Sequence, residues 1–207
     1  MPYFKSIFGP TRDEIWSALQ AQIGAEVVPG GLWQGDRLQA QAGEWTVTLE
    51  EHTMASMAGK APIIIHHTRM RAPFSNPGGF RFSIHRASMF SYVGTLLGMQ
   101  DIQVGHAEFD AEFVIKGNNE KLVQSLCSSE RLRALVTVQP KFQLSIHDDE
   151  GWFGKKYPPE VDVLVFDVAE HIRDVERLKG LYDVFAETLH QLSKLGIAGQ
   201  ENHGVTT

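Results

Sequence analysis

The sequence predicts an α+β fold: a mainly antiparallel sheet with helices packed on one face. Three observations carry this. Short segments alternate apolar and polar residues in the period-2 pattern of half-buried strands. The connections between them are short, which favours antiparallel neighbours. Amphipathic stretches with capping residues stand at both ends of the chain.

The first element is a helix. Thr11 and Glu14 have capping-box spacing, Ile15, Trp16, Leu19 and Ile23 share one face, and Gly24 is a natural stop. Strands follow at 38–40 and 45–49, with Ala42-Gly43 as the turn between them, and a third runs from Ile63 to Arg71. Two prolines and two glycines make 72–79 a loop. A fourth strand, Phe80 to His85, places Phe80, Phe82 and Ile84 on one side and Arg81, Ser83 and His85 on the other. A helix is expected over 88–97, ending at Gly98.

The second half restarts with a strand over 109–115, and Glu108 just before it shares a face with Asp110 and Glu112. Asn118 or Asn119 caps one short helix, and Ser128 or Ser129 caps a second that closes before Pro140. Strands at 142–147 and 161–168 flank a polar and aromatic loop, and Asp174 caps a last helix reaching Leu195. The order is α-β-β-β-β-α, then β-α-α-β-β-α. It suits one domain over 1–198 and admits two similar α/β halves meeting near 101–105. Residues 199–207 are small and polar and read as a disordered tail.

Composition narrows the function classes. A net charge of -6 argues against a general nucleic-acid binder, which needs clustered Lys and Arg. The longest uncharged stretch, Ser88 to Gln100, is too short and polar for a span of about 20 apolar residues. One cysteine, Cys127, rules out an internal disulfide, reads as a buried structural thiol and favours a reducing, cytoplasmic setting. No phosphate-binding loop, dinucleotide fingerprint, H-E-x-x-H or G-x-S-x-G is present, so no cofactor or metal is expected.

Two places suit a ligand or partner. On the outward face of the first sheet, Arg69, Arg71, Arg81 and His85 share the chemistry that grips a carboxylate or phosphate. In the loop after the 142–147 strand, Trp152, Phe153 and Tyr157 offer aromatic anchors for a partner. The histidines His52, His66, His67 and His85 raise the question of a metal. His66 and His67, being adjacent on a strand, point to opposite faces and cannot ligate together. The carboxylates Glu108, Asp110 and Glu112, and the turn Asp148-Asp149-Glu150, do not match the spacing of a calcium loop. In the last helix Leu178, Tyr182, Phe185, Leu189 and Leu192 form an a/d stripe, either core or the seam of a homo-oligomer.

The run Phe109-Asp110-Ala111-Glu112-Phe113-Val114-Ile115-Lys116 resembles an uncharacterised bacterial family in which F-D-x-x-F-x-[VI]-K precedes a polar turn and two helices. The resemblance covers the second half of the chain. It implies a bacterial domain without established catalytic residues. The expectation is therefore a non-enzymatic intracellular protein that binds a protein partner or small ligand. The alternative is a hydrolase or metal-dependent enzyme using His67, His85 and nearby carboxylates.

Overall fold

The computed structural model describes residues 10–31, 35–58, 61–88, 99–148 and 157–198, and the expected 88–97 helix and 199–207 tail lie outside these, apart from Ser88. In chain order the elements are α1 (Arg12–Ile23), β1 (Glu26–Val28), β2 (Arg37–Ala42), β3 (Trp45–Ala58), β4 (Ala61–Ser75), β5 (Phe82–Arg86) and β6 (Gln100–Asp101). There follow α2 (Ala107–Glu112), β7 (Phe113–Gly117), α3 (Glu120–Cys127), α4 (Glu130–Thr137), β8 (Gln143–His147), β9 (Val161–Val168) and α5 (Val175–Lys194). All nine strands join one sheet in the order β1-β2-β3-β4-β9-β8-β5-β7-β6, with every pairing antiparallel. The fold is α+β, as its pattern of elements requires. The sheet interleaves both halves of the chain: β4 pairs with β9, and β5 lies between β8 and β7.

Local chemistry explains most boundaries. In α1 the Thr11 hydroxyl accepts from the Glu14 amide at 3.3 Å, and the Glu14 carboxylate accepts from the Thr11 amide at 3.0 Å. Asn119, Ser129 and Asp174 cap α3, α4 and α5 through the same kind of side chain to amide bond. Gly43, with φ 65°, makes the turn between β2 and β3 in a left-handed conformation that a Cβ disfavours.

Two elements depart from the sequence pattern. The strand expected over 109–115 is helical as far as Glu112 and extended only from Phe113. Ala and Glu prefer a helix to a strand. The Asp110 carboxylate also accepts from the amides of Val104, Gly105 and His106 at 2.8–3.1 Å, anchoring the preceding loop. Phe109 and Phe113, one helical turn apart, meet at 4.6 Å between ring centroids. The loop expected over 72–79 begins only at Asn76, because β4 continues through Pro73, which pairs with Val163. The register of β3 on β4 ends at Arg71, so a residue without an N–H falls where one side of β4 is unpaired.

The described helices share one face of the sheet. Phe82, Ile84, Leu144, Ile146, Leu164, Phe166 and Met70 point from the strands into a continuous buried core. The α5 stripe meets them: Leu178, Phe185, Leu189 and Leu192 are buried, and the Tyr182 hydroxyl donates to the Gln41 carbonyl at 2.6 Å. The stripe is therefore core, and a second copy would have to use another surface. Cys127 is buried too, and burial pushes its thiol up to about 12, consistent with a structural role.

Gly117 closes β7 against Val123, Ile102 and the Arg81 carbonyl. A Cβ there would lie 2.6 Å from Val123 Cγ2 and 3.1 Å from the Arg81 carbonyl. Gly117→Ala is expected to cost about 1–3 kcal/mol through overpacking. Urea unfolding checks this, and a loss below about 0.5 kcal/mol would contradict it.

Candidate functional site

The strand parity that sends Phe82, Phe166 and Met70 into the core sends their neighbours to the face opposite the described helices. Following the register across five strands gives one row, His85–Gln143–Asp167–Arg69–Glu50. A second row beside it runs Ser83–Ser145–Val165–Arg71–Thr48. Arg69, Arg71 and His85 thus share a face, as the sequence pattern predicts. The face differs from a solvated sheet surface at its centre: Ser83, Ser145 and Val163 are 0–1% exposed, His67 3% and His85 8%.

Charges on this face are matched. The Arg69 Nε donates to Asp167 Oδ1 at 3.1 Å, and the Arg71 Nη2 donates to Glu50 Oε2 at 3.3 Å. Tyr157 closes over the second pair, its hydroxyl accepting from Arg71 Nη1 at 3.5 Å, and burial raises the pKa of that hydroxyl. Trp152 and Phe153, the other two anchors of that loop, lie outside the described residues.

At the β3–β4 end two histidines join the row. His52 and His67 are directly opposite and stack at 4.9 Å between centroids. His67 Nδ1 lies 2.7 Å from Asp167 Oδ2, and Arg69 Nη2 lies 3.2 Å from His52 Nε2. Burial, then the Arg69 charge, lower the pKa of His52 to about 4, so its ring is neutral near pH 7 and Nε2 accepts the guanidinium proton. His66 points the other way and is exposed, with its Nδ1 3.3 Å from the Thr53 hydroxyl. Asp167, the residue that ties this cluster together, was legible only as a charge interrupting the apolar strand Val161–Val168.

Ser83 Oγ, His85 Nε2 and His52 Nδ1 on this face are buried polar atoms with no hydrogen-bond partner among the described residues. The other nitrogen of His85, Nδ1, lies 3.1 Å from the Arg86 carbonyl. Unpaired groups of this kind are uncommon, since most buried polar atoms are bonded to protein, water or ligand.

Arg81 stands apart from Arg69 and Arg71, contrary to the grouping the sequence suggests. It grips Asp162 through both terminal nitrogens, one of them at 2.8 Å. Asp162 also accepts from Asn76 Nδ2, and Asn76 is bonded to both the amide and the carbonyl of Phe80. This network locks the β4–β5 connection and has no free fork for a ligand. The acidic candidates are likewise dispersed. Asp110 anchors a loop and Glu112 pairs with Arg86 at 2.9 Å. Glu108 lines a surface cleft of about 430 Å³ on the helical side, with His106, Glu130 and Arg133. Of the acidic turn only Asp148 is described.

Among the described residues no helix is long and apolar enough to cross a membrane. No family model matches the chain, and no curated protein matches it significantly. Among solved structures, the crystal structure of the mycobacterial trehalose monomycolate transport factor A aligns with a TM-score of 0.45 at 9% identity, over 89% of this chain and 96% of that one.

Proposed function

We propose that this chain is a binding protein whose small ligand occupies the polar face of the sheet, between Ser83 and His85 at one end and Arg69 and Arg71 at the other. The observation that carries the reading is the pair of buried, unpartnered atoms Ser83 Oγ and His85 Nε2, two residues apart on one face. A bound molecule with both donors and acceptors would satisfy them. The two guanidiniums already face the carboxylates of Asp167 and Glu50. A ligand therefore meets balanced charge, which favours a neutral or zwitterionic polar compound over a multiply charged phosphate.

The test uses Ser83→Ala. Without ligand, removing an unpaired buried hydroxyl is expected to be neutral or to stabilise by up to about 1 kcal/mol. Thermal shifts are then read against neutral sugars, free amino acids, dicarboxylates and inorganic phosphate. A neutral or zwitterionic compound should raise the Tm of the parent and lose that effect in Ser83→Ala and His85→Gln. Destabilisation by Ser83→Ala of more than 1 kcal/mol, or stabilisation by phosphate alone, would sink the reading.

One observation favours a hydrolase instead. Ser145 Oγ lies 2.8 Å from His147 Nε2, the contact of a nucleophile with its base. The residue is only 1% exposed, and the cross-strand neighbours of the pair are Ser83, Val165 and Val163. Labelling of Ser145 by a fluorophosphonate, lost in Ser145→Ala, would favour the hydrolase and count against a binding protein.

A further inference from the structure

We propose that His52, His67 and Asp167 form a site for one divalent transition-metal ion of the zinc or cobalt type, and that Arg69 holds the cation's place until the metal displaces it. The donors come from β3, β4 and β9, three adjacent strands of one sheet, so the backbone positions are fixed by the register. One donor atom from each residue lies within 4.8 Å of the others. Two imidazoles and a carboxylate are a donor set that suits zinc, cobalt and nickel better than calcium or magnesium. Around a tetrahedral ion with bonds of about 2.0–2.2 Å, donors sit roughly 3.3 Å apart. The cluster would contract by roughly 1.5 Å, within reach of side-chain rotation while the strands stay in register.

The arrangement of Arg69 shows that these lone pairs already serve a cation. Its Nη2 donates to His52 Nε2 at 3.2 Å and its Nε to Asp167 Oδ1 at 3.1 Å. An acceptor at His52 Nε2 requires the neutral ring with its proton on Nδ1, the form that ligates metal. The guanidinium thus bridges two of the three donors. Its side chain is 26% exposed, against 3% for His67, so it is the member able to leave toward solvent. A fourth position would be open to water or to a small ligand, as in sites where three protein groups bind zinc. This site shares Arg69 and Asp167 with the ligand reading above but takes nothing from Ser83 and His85, so the two can be tested separately.

The experiment titrates the chelator-treated full-length protein with Co²⁺, read by visible absorption, and with Zn²⁺, read by calorimetry. The parent is expected to take one equivalent. His52→Gln should weaken binding at least 10-fold, and His66→Gln, on the opposite face of the same strand pair, should leave it unchanged. Arg69→Gln should tighten binding about 10-fold or more, because the competing cation is gone. Binding seen only in Arg69→Gln would still support the site, with the guanidinium as its block. Circular dichroism confirms that each variant is folded. If Arg69→Gln fails to fold, the His52→Gln comparison at a half-buried position decides alone. Affinity that His52→Gln leaves untouched, or no binding by folded parent and folded Arg69→Gln alike, would overturn the proposal. Ser83→Ala should bind metal as the parent does, which separates this outcome from failure of the ligand reading.

Discussion

Arg81→Ala is expected to destabilise the fold by about 3 kcal/mol, although the residue sits partly at the surface. The reason lies in its partner. The Asp162 side chain is 7% exposed and that of Arg81 23%, so removing the arginine strands a buried carboxylate. Asn76 then remains as its donor, and Asn76 is also committed to Phe80. Removing one partner of a buried ion pair is far costlier than replacing both by apolar groups of similar volume. The double replacement Arg81→Met with Asp162→Leu should accordingly recover most of the loss. Urea midpoints for parent, single and double variants measure both. A single-variant loss below 1 kcal/mol would mean that this ion pair does not hold the β4–β5 connection. A double variant no better than the single one would place the energy in packing around Asn76.

Phe166→Ala should cost about 3–5 kcal/mol and lower the Tm by about 10 °C. Phe166 is fully buried on β9, opposite Met70 on one side and Leu144 on the other. Its ring stacks on Phe142 at 5.0 Å with an interplanar angle of 12°, and Phe142 in turn meets Phe113 at 5.9 Å. The alanine leaves a void at the junction of strands from both halves of the chain, where the sheet register limits collapse. Phe166→Leu, which refills most of the volume, should cost about 1–2 kcal/mol. Calorimetric unfolding of the two variants is the check. Equal losses would show that ring stacking rather than cavity volume dominates at this position.

These two residues also show how far local pattern reaches. Phe166 is legible as core because its alternation with Asp167 has strand parity, and parity depends on nothing beyond the strand itself. Arg81 has the same parity as Ser83, and by that rule alone belongs with Arg69 and Arg71. Its partner Asp162 is 81 residues away in sequence, and the contact exists only because β9 enters the sheet beside β4.

Capping, turns and strand alternation were readable residue by residue. Thr11 with Glu14, Asn119, Ser129 and Asp174 each satisfy an amide within three positions, so the helices they start could be placed from the chain alone. The inward faces of β2, β5, β8 and β9 followed from period 2. The misreadings came where a longer-range contact outweighed that period. Residues 107–112 alternate acidic and apolar groups yet coil into a helix, with Asp110 gathering the amides of the loop before them. Pro73 extends a strand because β3 pairing has ended beside it. Local chemistry thus settled which residues turn inward and where helices begin. Strand order settled the rest: inserting β9 and β8 between β4 and β5 sets Asp167 beside His67 and Arg69, and places Ser83 and His85 on a buried face. Hydrophobic parity is a property of each strand, whereas neighbours across a sheet are chosen by the packing of the whole chain.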